Sequence, residues 1–315
     1  MDFRQAQSTL LSRLRTIYDD REAAVIADWV MENITGWKKI DRILHKNTAL
    51  PVRDLELLEK YTNELLSRRP VQYVLQESWF CGMKFYVNEH VLIPRPETEE
   101  LVAWVVEYAA GSTKTLTGPS AEALAGPSPE NQSGTTPETP AVSTENHSIL
   151  DVGTGSGCIA IALQKQLPQS SVFACDLSSE ALAVARQNAA TLQAPIHLLQ
   201  ADFLDHTAWE NLPKIQILVS NPPYIPRSDK AGMARHVVDF EPHLALFVED
   251  KDPLIFYRAL AGFATKKLLP GGAVFAEIHE ELADAVAALF RGGGFQSVVI
   301  KKDMQGKDRM IKATW

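Results

Sequence analysis

The stretch SILDVGTGSGCIAIALQKQL, residues 148–167, reads as a short apolar strand, a turn with glycine at alternate positions, and a helix. Glycine lets a backbone turn sharply and approach a ligand closely. A helix that starts straight after such a turn presents free N–H groups at its first residues. The same unit recurs downstream. SVFACDL is a strand and SEALAVARQNAATL a helix, with Ser178 or Ser179 as its cap. IHLLQADF and IQILVSNPPY are strands, DPLIFYRALAGFATKKLL a helix, GGAVFAEI a strand and LADAVAALFRGG a helix. Strands alternating with helices imply an α/β fold with a doubly wound, mostly parallel sheet. The final strands, FQSVVIKK and RMIKATW, are joined by DMQGKD and fit an antiparallel edge.

Upstream the pattern differs. Leu10, Leu11, Leu14, Ile17 and Tyr18 recur at helical spacing, as do Val25, Ile26, Trp29, Val30 and Ile34, and later Leu55, Leu58, Tyr61 and Leu65. Residues 1–70 therefore read as a small helical bundle whose aromatics pack in its core. Residues 71–94 are rich in β-branched and aromatic side chains, broken at Gly82 and Asn88, and read as a β-hairpin linker. Residues 95–315 form the second domain, opening with the helix PETEELVAWVVEYAA. Residues 111–147 are dense in Ser, Thr, Pro, Gly and Glu and hold no aromatic residue, so a disordered insertion is expected there.

Of the 315 residues, 45% are hydrophobic and 22% charged, in line with a globular chain. Lys+Arg 31 against Asp+Glu 39 leaves a net charge of −8. That balance weighs against a protein that tracks a phosphate backbone, so no direct nucleic-acid binding is expected. Cys81, Cys158 and Cys175 form no CxxC pair, which disfavours a disulfide framework and a thiolate metal site. No secretory segment opens the chain, and no apolar run approaches the ~20 residues of a membrane span. The expectation is a cytoplasmic monomer without a metal.

The candidate site lies at the carboxyl ends of the strands, where open α/β sheets bind ligands. Gly153, Thr154, Gly155, Ser156 and Gly157 follow a GxGxG spacing, with Cys158 where a dinucleotide fingerprint would have its third glycine. This favours the nucleoside-plus-amino-acid site of S-adenosylmethionine enzymes over a pyrophosphate site. Asp176 ends the next strand and can accept from both ribose hydroxyls. Asp202 and Phe203 end the third, where a carboxylate can accept from an adenine amino group and a ring can lie on the base. Asn221-Pro222-Pro223-Tyr224 ends the fourth. Its prolines stiffen the loop. The Asn221 side-chain oxygen and the Pro222 carbonyl then offer two acceptors to one planar –NH2 group, with Tyr224 as a flat wall.

These residues resemble methyltransferases acting on planar nitrogen. With RPVQY (69–73), VLIPRPETE (91–99), ILDVGTGSGCIA (149–160), VSNPPYI (219–225) and FEP (240–242), the chain is similar to the release factor glutamine methyltransferase family over nearly its whole length outside the insertion. The resemblance implies a helical N-terminal substrate-docking domain, a hairpin link and a class I methyltransferase domain using S-adenosyl-L-methionine. It implies peptide-chain release factors as partners, methylated on the glutamine of a Gly-Gly-Gln tripeptide, and so a role in translation termination. Asn221, Pro222 and Tyr224 would carry catalysis, with Pro223 helping to bind the substrate. Asn221 would also edge the cofactor, and Glu97 and Thr98 would meet its methionine end. Glu277-Ile278-His279 departs from the family's usual Glu-Ile-Gly. The alternatives are an N6-adenine methyltransferase acting on DNA or RNA, which shares the NPPY stretch, and a catalytically silent cofactor-binding module.

Overall fold

The computed structural model describes residues 1–112 and 146–315. Five helices open the chain: α1 (Phe3–Leu14), α2 (Asp20–Thr35), α3 (Lys39–Leu44), α4 (Val52–Leu66) and α5 (Val71–Leu75). The side chain of Asp2 accepts from the Gln5 amide to start α1, and that of Asp19 accepts from Glu22 to start α2. Gly36, at φ 69°, closes α2 in the left-handed conformation. Phe3, Leu10, Leu14, Val30, Met31 and Leu65 form the bundle core. Each such burial contributes about 1.5–3 kcal/mol. The apolar stripe of α2 departs in part from the expectation of a packed core: its one aromatic, Trp29, is 45% exposed and Val25 44%. Helical spacing fixes which residues share a face; only the docked neighbours decide how far the edge of that face is covered.

The hairpin is shorter than its sequence suggests. Strands β1 (Ser78–Phe80) and β2 (Met83–Phe85) pair antiparallel across Cys81 and Gly82, so it spans 78–85, and 71–75 are helical. Pro70 starts α5 with its preset φ, and Gln76 ends it at φ 55°. Helix α6 (Pro96–Ser112) follows. The insertion expected at 111–147 lies outside the described residues except at its ends. Gly111 and Ser112 finish α6, and His147 is buried beside β3.

The second domain runs β3 (Ser148–Val152), α7 (Cys158–Gln166), β4 (Ser171–Asp176), α8 (Ser179–Thr191), β5 (His197–Gln200) and β6 (Ile215–Ser220). Two short strands, β7 (Ile225–Pro226) and β8 (Phe247–Val248), flank helices α9 (Arg235–Phe240) and α10 (His243–Leu246). Then come α11 (Ile255–Lys267), β9 (Leu268–Glu277), α12 (Ala283–Gly292), β10 (Ser297–Lys302) and β11 (Asp308–Thr314). The main sheet has the order β10-β11-β9-β6-β3-β4-β5. Its first five strands in sequence are parallel, and β11 inserts antiparallel between β9 and β10.

Period-two alternation sorts the strand residues between two cores. Ile149, Ile217, Val219 and Phe275 pack under α6 and α7, whereas Leu150, Leu218, Val274 and Ala276 pack with α11 and α12. After β3 the chain moves toward β4 and β5; after β6 it moves the other way, to β9. The switch point therefore opens a crevice beyond the carboxyl ends of β3 and β6. Both the glycine turn and the Asn-Pro-Pro-Tyr loop sit there.

Candidate active site

The glycine turn is held from beneath and from the side. The side chain of Asp176, at the end of β4, accepts from the Gly155 amide at 2.9 Å and from the Ser178 amide at 2.9 Å. Burial pushes the Asp176 carboxyl up, and backbone N–H groups of Gly155, Ser178 and Leu177 oppose the shift. Gly157, at φ 81°, is required by packing. A Cβ there would lie 3.1 Å from Ile161 Cδ1 and 3.2 Å from Ala185 Cβ, where α7 meets α8. At Gly153 and Gly155 an added Cβ would meet nothing within 4 Å, so the turn borders open space. The Asn188 side chain donates to the carbonyls of Ser156 and Tyr86, both at 2.9 Å, tying the turn to the segment after the hairpin.

Beneath the turn lies Asp151, which is wholly buried. Thr154 Oγ1 donates to its Oδ2 at 2.6 Å, while Oδ1 has no hydrogen-bond partner. Burial pushes this carboxyl up to about 7; the Thr154 hydroxyl and the Ala160 amide dipole oppose the shift, and the charge of Asp176 adds to it. An unpartnered buried carboxylate oxygen beside an open glycine turn suits a cationic group. The α-ammonium of a methionine moiety is one, so the residues present fit S-adenosylmethionine. Asp151 stands two residues before Gly153 in the sequence, where neither its type nor its spacing marks it as a ligand contact.

On the other side of the crevice, four side chains from distant segments meet. Asn221 Nδ2 donates to Thr98 Oγ1 at 3.0 Å, Thr98 Oγ1 donates to Glu277 Oε2 at 2.7 Å, and Tyr224 OH donates to Glu277 Oε1 at 2.8 Å. Glu277 ends β9 and is 2% exposed. Burial raises its pKa, and bonds from Thr98 and Tyr224 together with the charge of Arg309 pull it back. Tyr224 is itself held well above the usual phenol range, by burial first and then by the Glu277 charge. The edge of His279 faces its ring, with centroids 6.2 Å apart. No protein donor among the described residues reaches Asn221 Oδ1.

The remaining expected residues divide. Asp202 is exposed, and its Oδ1 accepts from the Leu204 amide at 2.9 Å. Phe203 is a correction. Its ring is only 5% exposed, packed against Phe263 and Trp209 with centroids 5.2 and 5.8 Å away, and offers no open face to a base. Glu97 accepts from Gln305 Nε2 at 3.3 Å, and Thr98 is engaged by Asn221 and Glu277. Arg95 bonds Glu241 at 2.6 Å, and the Glu241 carboxylate also accepts from the Ile93 amide at 3.1 Å. Beside this pair, Tyr18, Val25, Trp29, Arg68 and His236 line a groove between α2 and α9. Among the described residues no three metal-ligating side chains converge, and no helix is long and apolar enough to cross a membrane.

Sheet order, crevice and the Asn-Pro-Pro-Tyr loop together define a class I methyltransferase. The family model described as "Methyltransferase small domain" matches residues 138–239, and "PrmC N-terminal domain" matches 5–75. The hMettl16 catalytic domain shares the fold, at a TM-score of 0.51 and 14% identity over 84% of this chain and 81% of that one. The release factor glutamine methyltransferase of Flavobacterium psychrophilum is 36% identical over 98% of both chains. That of Bacteroides thetaiotaomicron is 34% identical over 95% of both. The chain belongs to the release factor glutamine methyltransferase family.

Proposed function

We propose that this enzyme methylates the side-chain amide nitrogen of the glutamine in the Gly-Gly-Gln motif of a peptide-chain release factor, with S-adenosylmethionine as donor. The supporting observation is the unengaged Asn221 Oδ1, fixed beside the rigid Pro222-Pro223 turn at the mouth of the cofactor crevice. When bound, the cofactor supplies a methyl group on a sulfonium, an activated electrophile. Gly153, Thr154, Gly155, Ser156 and Gly157 border its place, Asp176 would accept from the ribose hydroxyls and Asp202 from the adenine amino group. Asp151 would face the ammonium.

An amide nitrogen is a poor nucleophile because its lone pair is delocalised into the carbonyl. The protein's task is alignment at near-attack distance. Asn221 Oδ1 and the Pro222 carbonyl would accept the two amide hydrogens, aim the nitrogen and raise its electron density as positive charge develops there. Tyr224 would wall the planar group. Its hydroxyl donates to Glu277 and its pKa is raised, so it is no base at neutral pH. The amide proton can leave after transfer.

For the acceptor's body, the groove containing the exposed Val25 and Trp29 would make residues 1–70 a docking surface. The test is Asn221→Ala. Methyl transfer to the release factor should be abolished, while cofactor affinity stays within several-fold of wild type. Equal losses of both would place Asn221 in the cofactor site instead.

A further inference from the structure

An asparagine side chain is close to symmetric in shape. Its oxygen and nitrogen differ by little except which one donates, so something must decide which faces the acceptor. The chain of bonds behind Asn221 contains that decision. We infer that Glu277, acting through Thr98, is a positioning residue that fixes Asn221 with its oxygen toward the acceptor amide. This deepens the functional reading above and rests on it.

The argument follows the hydrogens. Both groups bonded to the Glu277 carboxyl oxygens donate to it, Tyr224 OH at 2.8 Å and Thr98 Oγ1 at 2.7 Å. The Thr98 hydroxyl has one hydrogen, and it is spent on Glu277. What it turns toward Asn221 is a lone pair, and the only half of the Asn221 amide that can satisfy a lone pair is the –NH2, found at 3.0 Å. The Asn221 oxygen is thereby directed out of the protein framework. Rotating the amide by half a turn would set oxygen against oxygen at Thr98 and present two donors to an acceptor –NH2 that itself only donates.

The surroundings hold the device in place. Thr98 is 3% and Glu277 2% exposed, so water is kept from either partner. Tyr257 OH donates to the Glu277 backbone carbonyl at 3.1 Å, anchoring the end of β9. Thr98 stands in the first turn of α6 and Glu277 at the end of a central strand, so the amide is referenced to two rigid elements and not to its own loop. Neither residue bonds through the unengaged oxygen; both act through Asn221.

The test is a set of variants assayed with intact release factor: Thr98→Val, Thr98→Ser and Glu277→Gln. Thr98→Val keeps shape and removes the hydroxyl. Its kcat should fall about 10- to 100-fold, at or below the about 10²–10³ lost with an oxyanion-hole donor. KM for the release factor and calorimetric cofactor affinity should stay within about threefold of wild type, since the Thr98 hydroxyl is taken up by Glu277 and Asn221. Thr98→Ser restores a hydroxyl and should recover most of kcat. Glu277→Gln, which brings a donor into an acceptor-only position, should lose kcat in the same way; if it does not fold, the Thr98 pair decides. Thr98→Val turning over within threefold of wild type overturns the inference. So does a loss of kcat matched by an equal loss of cofactor affinity, which marks a merely structural role. A wild-type enzyme that binds cofactor yet leaves the release factor unmodified defeats the functional reading instead, a different result from either.

Discussion

Asp151→Asn is a perturbation whose effect can be worked from the burial of one carboxyl. In the folded protein that group is pushed from 3.8 up to about 7, chiefly by burial. The folded state holds the Asp151 proton more tightly than the unfolded chain does. The contribution is neutral below pH 4. Stability is then lost as pH rises toward 7 and levels off above, because the unfolded chain releases the proton first. At about 1.4 kcal/mol per pK unit, the wild-type protein should lose up to about 3 kcal/mol from this group between pH 5 and pH 8. Relaxation and water entry around a buried ion reduce that to about 1–3 kcal/mol.

Asparagine cannot ionise, so the slope disappears in the variant. Any fixed cost of its amide in the Asp151 pocket cancels between the two pH values. The assay is thermal unfolding of both proteins, without cofactor, at pH 5 and pH 8. The melting-temperature gap between variant and wild type should move in the variant's favour by about 3–10 °C over that range, at about 2–4 °C per kcal/mol for a chain of this size. Cofactor should also bind the variant more weakly at pH 8. A gap that does not change with pH refutes the reasoning about this carboxyl.

Asp176→Ala removes acceptors placed for a ribose and two bonds that hold the glycine turn; cofactor affinity by calorimetry should drop tenfold or more, from about 1.5–3 kcal/mol lost with a charged hydrogen bond. Trp29→Ala, at a ring 45% exposed on the groove, should raise KM for the release factor several-fold and leave kcat and cofactor affinity unchanged in steady-state kinetics. Replacing 113–145 by a short Gly-Ser linker should leave turnover nearly unchanged, because the residues on either side are the end of α6 and the start of β3, and the start of β3 is the end of that strand away from the crevice.

The glycine turn, Asp176 and the Asn-Pro-Pro-Tyr loop were legible because their chemistry is local. Each is a short run at the end of a strand, and the alternation of elements brings strand ends together. The Thr98–Glu277 bond was not legible: it joins residues 179 positions apart, and neither type in isolation signals a partner. Phe203 illustrates a second limit. An aromatic residue at a strand end reads equally as a platform or as core, and here Phe263 on α11 and Trp209 claim the ring. Val71–Leu75 shows a third. Its β-branched and aromatic composition suggests a strand, yet Pro70, a left-handed Gln76 and burial of Tyr73, Val74 and Leu75 make it one helical turn. The stripe on α2 has the right period, but Trp29 falls at its margin, outside the neighbours' reach.

The acceptor itself is the most direct test. The purified enzyme would be incubated with isotopically labelled S-adenosylmethionine and, separately, an intact release factor and double-stranded DNA, with the modified position mapped by mass spectrometry. The account predicts one labelled methyl on the side-chain nitrogen of the Gly-Gly-Gln glutamine, no label in DNA, and no transfer by Asn221→Ala. Label in DNA with the release factor untouched, or on a release-factor residue other than that glutamine, would contradict it.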